Sequence, residues 1–287
     1  AHERPLVFAN NDIPGCMLAS AVSTYINRYN VVPGKKLLLM TTNDNAYNTA
    51  FDWQKTGRQV RAIVDTRASA GEAVSLRAKE LGIEVFMSSA IIEVQGNACI
   101  SDAVVAPINA DVDEITGETQ RVDCDTIATS GGWNPAVHLS CHTGGRPVWR
   151  DDIQGFVPDH FNKNMIATGA VNGIYKLSEI LEDAAKSGVV AAKSCGFESA
   201  RATFPNTELE ITAESMPLFH IPHTKKTSRA PKKFVDFQLD VTASGIELAV
   251  QEGFESIEHI KRYTALGFGT DQGKLSNING MAIAAKK

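Results

Sequence analysis

From residue 35 onward, apolar positions fall into short continuous runs that alternate with stretches of helical spacing. "KKLLLMTT" (35–42) reads as a buried strand, and residues 46–56 as an amphipathic helix that stops at Gly57. "QVRAIVDTR" (59–67) is the next strand, "AGEAVSLRAKELG" (70–82) the next helix with a terminal Gly, and "IEVFMSS" (83–89) a third strand. Strands that alternate with helices imply parallel pairing through right-handed crossovers. Residues 90–131 then switch to short alternating runs broken by Gly and Asn. This pattern predicts a small antiparallel meander that closes on the buried strand "CDTIATS" (124–130). "NMIATGA" (164–170) reads as a further short strand before a helix at 176–194. Residues 205–230, rich in Pro, Thr and Ser, read as a linker lying over the surface, and 231–287 as a small, partly helical, basic subdomain. The opening "AHERPLVFANNDIPGCMLAS" reads as a loop leading into a helix at 15–25. A domain seldom opens on a loop of this kind, which suggests that an upstream half is missing.

Composition changes this picture in two respects. The formal charge is −5 and the basic residues are scattered apart from one C-terminal cluster, which disfavours a nucleic-acid partner. No apolar run approaches the roughly 18–20 residues that span a bilayer, and no signal-peptide pattern is present, so a cytoplasmic protein is expected. The five cysteines lie far apart and form no C-x-x-C, which points to reduced thiols and away from zinc.

Candidate chemistry sits at the strand ends. The first βα turn, Thr41 to Tyr47, has no glycine, so its backbone cannot closely approach a pyrophosphate. Asp65 nevertheless ends the next strand, where a dinucleotide fold places the carboxylate for a ribose hydroxyl. A scaffold role and a nucleotide contact both remain open for this unit. "IATSGGWNP", with Gly131, and "IATGAVNG", with Gly169, Ala170 and Asn172, put small residues after apolar runs, where backbone N–H groups can face a ligand. Thr242 or Ser244 caps a C-terminal helix that ends at Gly253. The following "SIEHIKRYTALGFGTDQGK" interleaves Lys261, Arg262, Thr264, Thr270, Gln272 and Lys274 with Gly267, Gly269 and Gly273, a combination suited to a phosphate.

"ERPLVFANNDIPGCMLASAV", "TTNDNAYNTAFDW", "IATSGGWNPAVHLSCHTGG" and above all "FVDFQLDVT…EGFESIEHIKRYTALGFGTDQGK" resemble the alpha subunit of heterotetrameric sarcosine oxidase, from residue 1 to 287. The resemblance implies an α/β, Rossmann-like fold of the two-dinucleotide-binding-domain flavoprotein kind. It divides the chain into an inserted βαβ nucleotide-binding-like part (1–110), the remaining half of a dinucleotide domain (111–204), a linker (205–230) and a small helical domain (231–287). It further implies oxidative demethylation of sarcosine to glycine, with electrons passing from FAD to FMN to oxygen. The products are hydrogen peroxide and either formaldehyde or methylene-tetrahydrofolate. FAD would belong to the beta subunit, FMN would be shared with it, NAD would bind the alpha subunit, and gamma and delta subunits would complete the complex. The six residues from Lys261 to Lys274 would then hold the FMN phosphate. Two departures matter. The family's N-terminal Gly-rich loop and its C-terminal tetrahydrofolate domain are absent, so the chain reads as a central segment. Where two-domain flavoenzymes end a strand in Thr-Gly-Asp to reach flavin hydroxyls, this chain has Ala170. The C-terminal part also resembles a small iron–sulfur domain whose four cysteines are replaced by Asp236, Gln238, Asp271 and Ser276, so a cluster is not expected. No catalytic residue is assigned. A non-catalytic assembly module of an amine-oxidising complex is the alternative.

Overall fold

The computed structural model describes residues 1–161, 165–198, 203–207 and 215–287. Two compact units form: Glu3–Gly132 with Met216–Lys287, and Ala1–His2 with Trp133–Ser215. These bounds differ from the sequence-based cuts at 110, 204 and 230. The strand ending at Ser130 rejoins the same sheet as the first βαβ unit, and the chain returns to that unit at Met216.

After a two-residue strand β1 (His2–Glu3), the larger unit runs β2 (Cys16–Leu18), α1 (Ala19–Tyr29), β3 (Lys36–Thr41), α2 (Tyr47–Lys55), β4 (Gln59–Asp65), α3 (Glu72–Glu80) and β5 (Val85–Phe86). Next come β6 (Ser89–Gly96), β7 (Ile100–Pro107), β8 (Gln120–Asp123) and β9 (Thr126–Ser130). The main sheet is parallel throughout, in the order β2-β9-β3-β4-β5, and β6-β7-β8 form the expected antiparallel meander. Leu37 to Met40 of β3 are fully buried, as a strand covered on both faces requires. Left-handed glycines stop two helices, Gly57 after α2 and Gly82 after α3.

Three expectations are corrected. The N-terminal segment is not merely a loop before a helix: Cys16, Met17 and Leu18 pair in parallel with Ile127, Ala128 and Thr129 and supply the edge strand. Residues 165–168 of "NMIATGA" are not a strand, and Asn164 lies outside the described residues. Of the expected surface linker, 208–214 also lie outside them. Leu218 and Ile221, by contrast, are core residues, and the Ile221 N–H donates to the Val7 carbonyl at 2.9 Å.

In the smaller unit, β10 (Trp133–Asn134) and α4 (His138–His142) precede an antiparallel hairpin of β11 (Pro147–Arg150) and β12 (Gly155–Pro158). A 3-10 turn, Gly169–Asn172, leads to α5 (Leu177–Ser194), close to the helix expected at 176–194.

The larger unit ends with a short β13 (Phe234–Asp236) and β14 (Val241–Thr242) pair and with α6 (Ala243–Gln251), α7 (Ile257–Thr264) and α8 (Asn277–Ala285). The Thr242 hydroxyl caps α6 by accepting from the Gly245 N–H at 3.2 Å. Val235, Ala243, Ile246, Ala249, Ile260, Leu266 and Ile283 close a small core together with Val7. Among the described residues, no helix is long and apolar enough to cross a membrane.

Candidate functional site

β3 and β9 lie side by side in the parallel sheet, and a ligand is sought at the point where their carboxyl ends meet. Here the chain's own groups bridge that point. The Asn43 amide donates to the Ser130 hydroxyl at 3.0 Å and the Thr42 N–H to the Ser130 carbonyl at 3.1 Å. The Gly131 N–H, expected to face a ligand, donates to the Arg4 carbonyl at 2.7 Å. A side chain at Gly131 would press on that carbonyl and on Leu6, so close backbone packing explains the glycine.

Asp65 lies where the sequence placed it, at the end of β4, and is fully buried. Its Oδ1 accepts from the Arg67 N–H and Nε, each at 3.0 Å. Its Oδ2 accepts from the Tyr47 hydroxyl at 2.8 Å and from Arg67 Nη2 at 2.7 Å. Arg67 also reaches Asp44 at 2.7 Å, and the Gly71 N–H donates to the same Asp44 oxygen at 3.1 Å. Burial, and then the adjoining Asp65 carboxylate, push the Tyr47 phenol upward. Burial alone would lower the Arg67 guanidinium, but bonding to Asp65 and Asp44 more than reverses this. All four lone-pair directions of Asp65 are therefore used internally. The geometry favours the scaffold role for this turn.

In the smaller unit, the Gly169 N–H and the Thr168 hydroxyl both donate to Asp183 Oδ2 at 2.8 Å. Asn172 donates to the Ala167 carbonyl at 2.8 Å, and its own carbonyl accepts from Arg150 at 3.0 Å. Ala170 brings no polar side chain. A carboxylate from α5 thus occupies the donors that were expected to meet a ligand.

The Gly-Thr segment after α7 is likewise turned inward. The Thr270 N–H and hydroxyl both donate to Gln238 Oε1 at 2.7 Å, and Gln272 donates to the Gly269 carbonyl at 3.0 Å. Lys274 reaches the Asp271 carbonyl at 3.2 Å, the Thr264 hydroxyl the Ile260 carbonyl at 2.7 Å, and Lys261 pairs with Glu258 at 3.6 Å. Buried Asp236 is the hub. It accepts from the N–H groups of Gln238 and Gly267 at 3.0 Å, from that of Leu239 at 3.3 Å, and from the Ser276 hydroxyl at 3.2 Å. Asp271 accepts from the Gly273 and Leu275 N–H groups. The four positions that stand at cysteines in the iron–sulfur resemblance are therefore centres of a hydrogen-bond network. Among the described residues, no group of three or more His, Cys, Asp or Glu side chains is placed to hold a metal. Of the six residues expected at a phosphate, exposed Arg262 alone has no internal partner among the described residues.

Burial pushes the Cys16 and Cys124 thiols up to about 12, away from the thiolate form. Sequence reasoning missed a second group of cations, Lys225, Lys226 and Lys233, which line a cavity together with His220. The doublets in "KKTSRAPKK" were the available signal.

Comparison with known proteins adds the following. A model described as the sarcosine oxidase A3 domain matches residues 230–287. The chain is 37% identical over 289 residues to sarcosine oxidase subunit alpha of Corynebacterium sp. (strain P-1), covering 99% of this chain and 29% of that protein. It is also 37% identical to sarcosine oxidase subunit alpha of Rhizobium meliloti (strain 1021), covering 100% of this chain and 27% of that protein. The chain therefore spans less than a third of the length of these curated relatives. Among solved structures, L-proline dehydrogenase from P. horikoshii is similar in fold, with a TM-score of 0.61 at 16% identity, over 99% of this chain and 51% of that one.

Proposed function

From the close match to sarcosine oxidase alpha subunits along essentially its whole length, we propose that this chain serves flavin- and NAD-linked redox chemistry as part of a multi-subunit oxidoreductase. The finer reading is oxidative demethylation of sarcosine to glycine, with beta, gamma and delta subunits as partners. In that reading FAD would take electrons from the substrate, and FMN would pass them to oxygen. Tetrahydrofolate would capture the one-carbon unit outside this segment.

What the residues of this chain contribute is narrower. Asp65, Gly131 and Gly169 do not fit a dinucleotide pyrophosphate and ribose, because their acceptors and donors are already satisfied internally. Arg262 fits a flavin phosphate presented by a partner: it is exposed, on the last turn of α7, and its planar fork suits a phosphate. Internal saturation of both candidate dinucleotide sites favours a second reading, an assembly module that keeps the fold and its contacts without holding a dinucleotide.

The match along the whole of this chain carries the first reading. The test is the assembled complex with Arg262→Ala. FMN content or electron transfer that falls while FAD content holds supports the redox interface. A complex with unchanged FMN content, electron transfer and assembly would leave the assembly module as the better description.

A further inference from the structure

Lys233 is a buried cation that makes no ion pair among the described residues. Its side chain is on a residue only 3% exposed, immediately before β13, and its ammonium donates to the Ile221 carbonyl at 2.6 Å and to His220 Nε2 at 3.1 Å. Both acceptors are neutral, and they take two of its three N–H groups. Among the described residues no carboxylate comes within ion-pair distance. Glu247, which shares the cavity, is paired at 3.4 Å with Lys287, and its charge acts on Lys233 only from beyond ion-pair distance, offsetting part of the effect of burial. His220 accepts from Lys233, so its imidazole is neutral. Burial, and then the Lys233 charge, pull it down to about 3, while burial pulls Lys233 itself to about 8.

An ammonium withdrawn from water without a partner costs several kcal/mol, so folds rarely retain one without compensation. This one opens on a cavity of about 300 Å³. Lys225, Lys226 and Lys286 line the same cavity with the Thr227 hydroxyl, against the acids Glu247 and Asp113. Asp113 is held from Asn109, and Glu93 pairs with His223 at 3.0 Å, so neither neutralises Lys233. One carboxylate would balance one of these cations. A tetrahedral dianion with several acceptor oxygens meets more of them, and lysine serves phosphate as a point charge.

We infer that the cavity between Lys225, Lys226, Lys233 and Lys286 is a phosphoryl-anion site, distinct from the Gly-Thr segment. It is independent of the redox reading.

The probe is inorganic phosphate, titrated calorimetrically into the full chain, with adenosine monophosphate and acetate as parallel arms. Saturable phosphate binding is expected. Losing one charge-assisted contact should weaken it roughly tenfold or more in Lys233→Met, with a smaller loss in Lys226→Ala. The exposed mouth residue Lys226 keeps the test usable if Lys233→Met does not fold. Lys79→Ala, an equal charge change on α3, should bind as the parent does. Tighter binding of adenosine monophosphate than of phosphate would identify a nucleotide phosphoryl as the source, and equal or weaker binding a free phosphate. Absence of saturable phosphate binding, or equal binding of acetate, would overturn the site. So would loss of binding in Arg262→Ala but not in Lys233→Met or Lys226→Ala.

Discussion

Tyr47, Asp65, Arg67 and Asp44 show how one network can replace a ligand. A carboxylate buried at a strand end needs donors, and in a dinucleotide fold the ribose supplies some of them. Here Tyr47 comes from the first turn of α2 and Arg67 from two residues beyond Asp65, so the donors are local and permanent. Asp65→Asn should remove about 2–3 kcal/mol of stability, because Arg67 keeps only Asp44 as a counter-ion and meets an amide where a carboxylate stood. Tyr47→Phe should cost about 1 kcal/mol, since Arg67 still satisfies Asp65. Denaturant melts of both variants check the order, and an Asp65→Asn chain as stable as its parent would mean the network is ornamental. The other buried titratable pair answers to pH. Folding lowers His220 from 6.5 to about 3, so between those values the unfolded chain binds a proton that the folded chain refuses. That contribution to stability is present above pH 6.5 and is lost as pH falls toward 3. Lys233, lowered from 10.5 to about 8, adds stability as pH rises between those values. His220→Gln keeps an acceptor for Lys233 but cannot titrate. The stability advantage of the parent over this variant should shrink on acidification from pH 6.5, as urea melts along the pH series would show. A constant difference would remove His220 from the acid response.

At the scale of elements, the C-terminal Gly-Thr segment is organised by its carboxylates. Gly267 and Gly273 take positive φ values, and their N–H groups point at Asp236 and Asp271. Asp236→Ala should therefore destabilise by about 2–4 kcal/mol through several stranded buried donors. Arg262→Ala, on an exposed helical turn, should stay within about 0.5 kcal/mol of the parent. Thermal unfolding of the two variants separates them; equal losses would place Arg262 inside the packing. These elements also show what a sequence discloses. The Leu37–Met40 run, Gly57 and a cap at Thr242 or Ser244 were legible because each acts locally, through burial on both faces, a left-handed stop or a cap. Cys16–Leu18 was not, since three partly buried residues become a strand only when Ile127–Thr129 lies beside them. Leu218 and Ile221 were hidden for the same reason: the pairing of Ile221 with Val7 is tertiary. The position of Asp65 was readable. Its occupancy was not, because nothing in the spacing tells whether a donor belongs to the chain or to a ligand.

For the chain as a whole, the two units each present a segment whose sequence reads as a dinucleotide site, and each fills it from within. Asp65 is saturated by Tyr47 and Arg67, Gly131 by Arg4, and Gly169 by Asp183. A pyrophosphate is held mainly by free backbone N–H groups at a helix N-terminus. To use these positions it would have to displace bonds already made, at a cost comparable to what it gains. The relatives are more than three times as long as the segment they share with this chain, so a dinucleotide site in those proteins has ample sequence outside that segment. Calorimetric titration of the chain alone with NAD should accordingly give a Kd of about 1 mM or weaker, worth at most roughly 4 kcal/mol. Micromolar binding that is lost in Asp65→Asn would show that NAD opens the Tyr47–Asp65–Arg67 network. The strand-end turn would then be a nucleotide site after all. Micromolar binding that survives that substitution but fails in Lys233→Met would instead move the nucleotide to the lysine-lined cavity, with its phosphates on the buried ammonium.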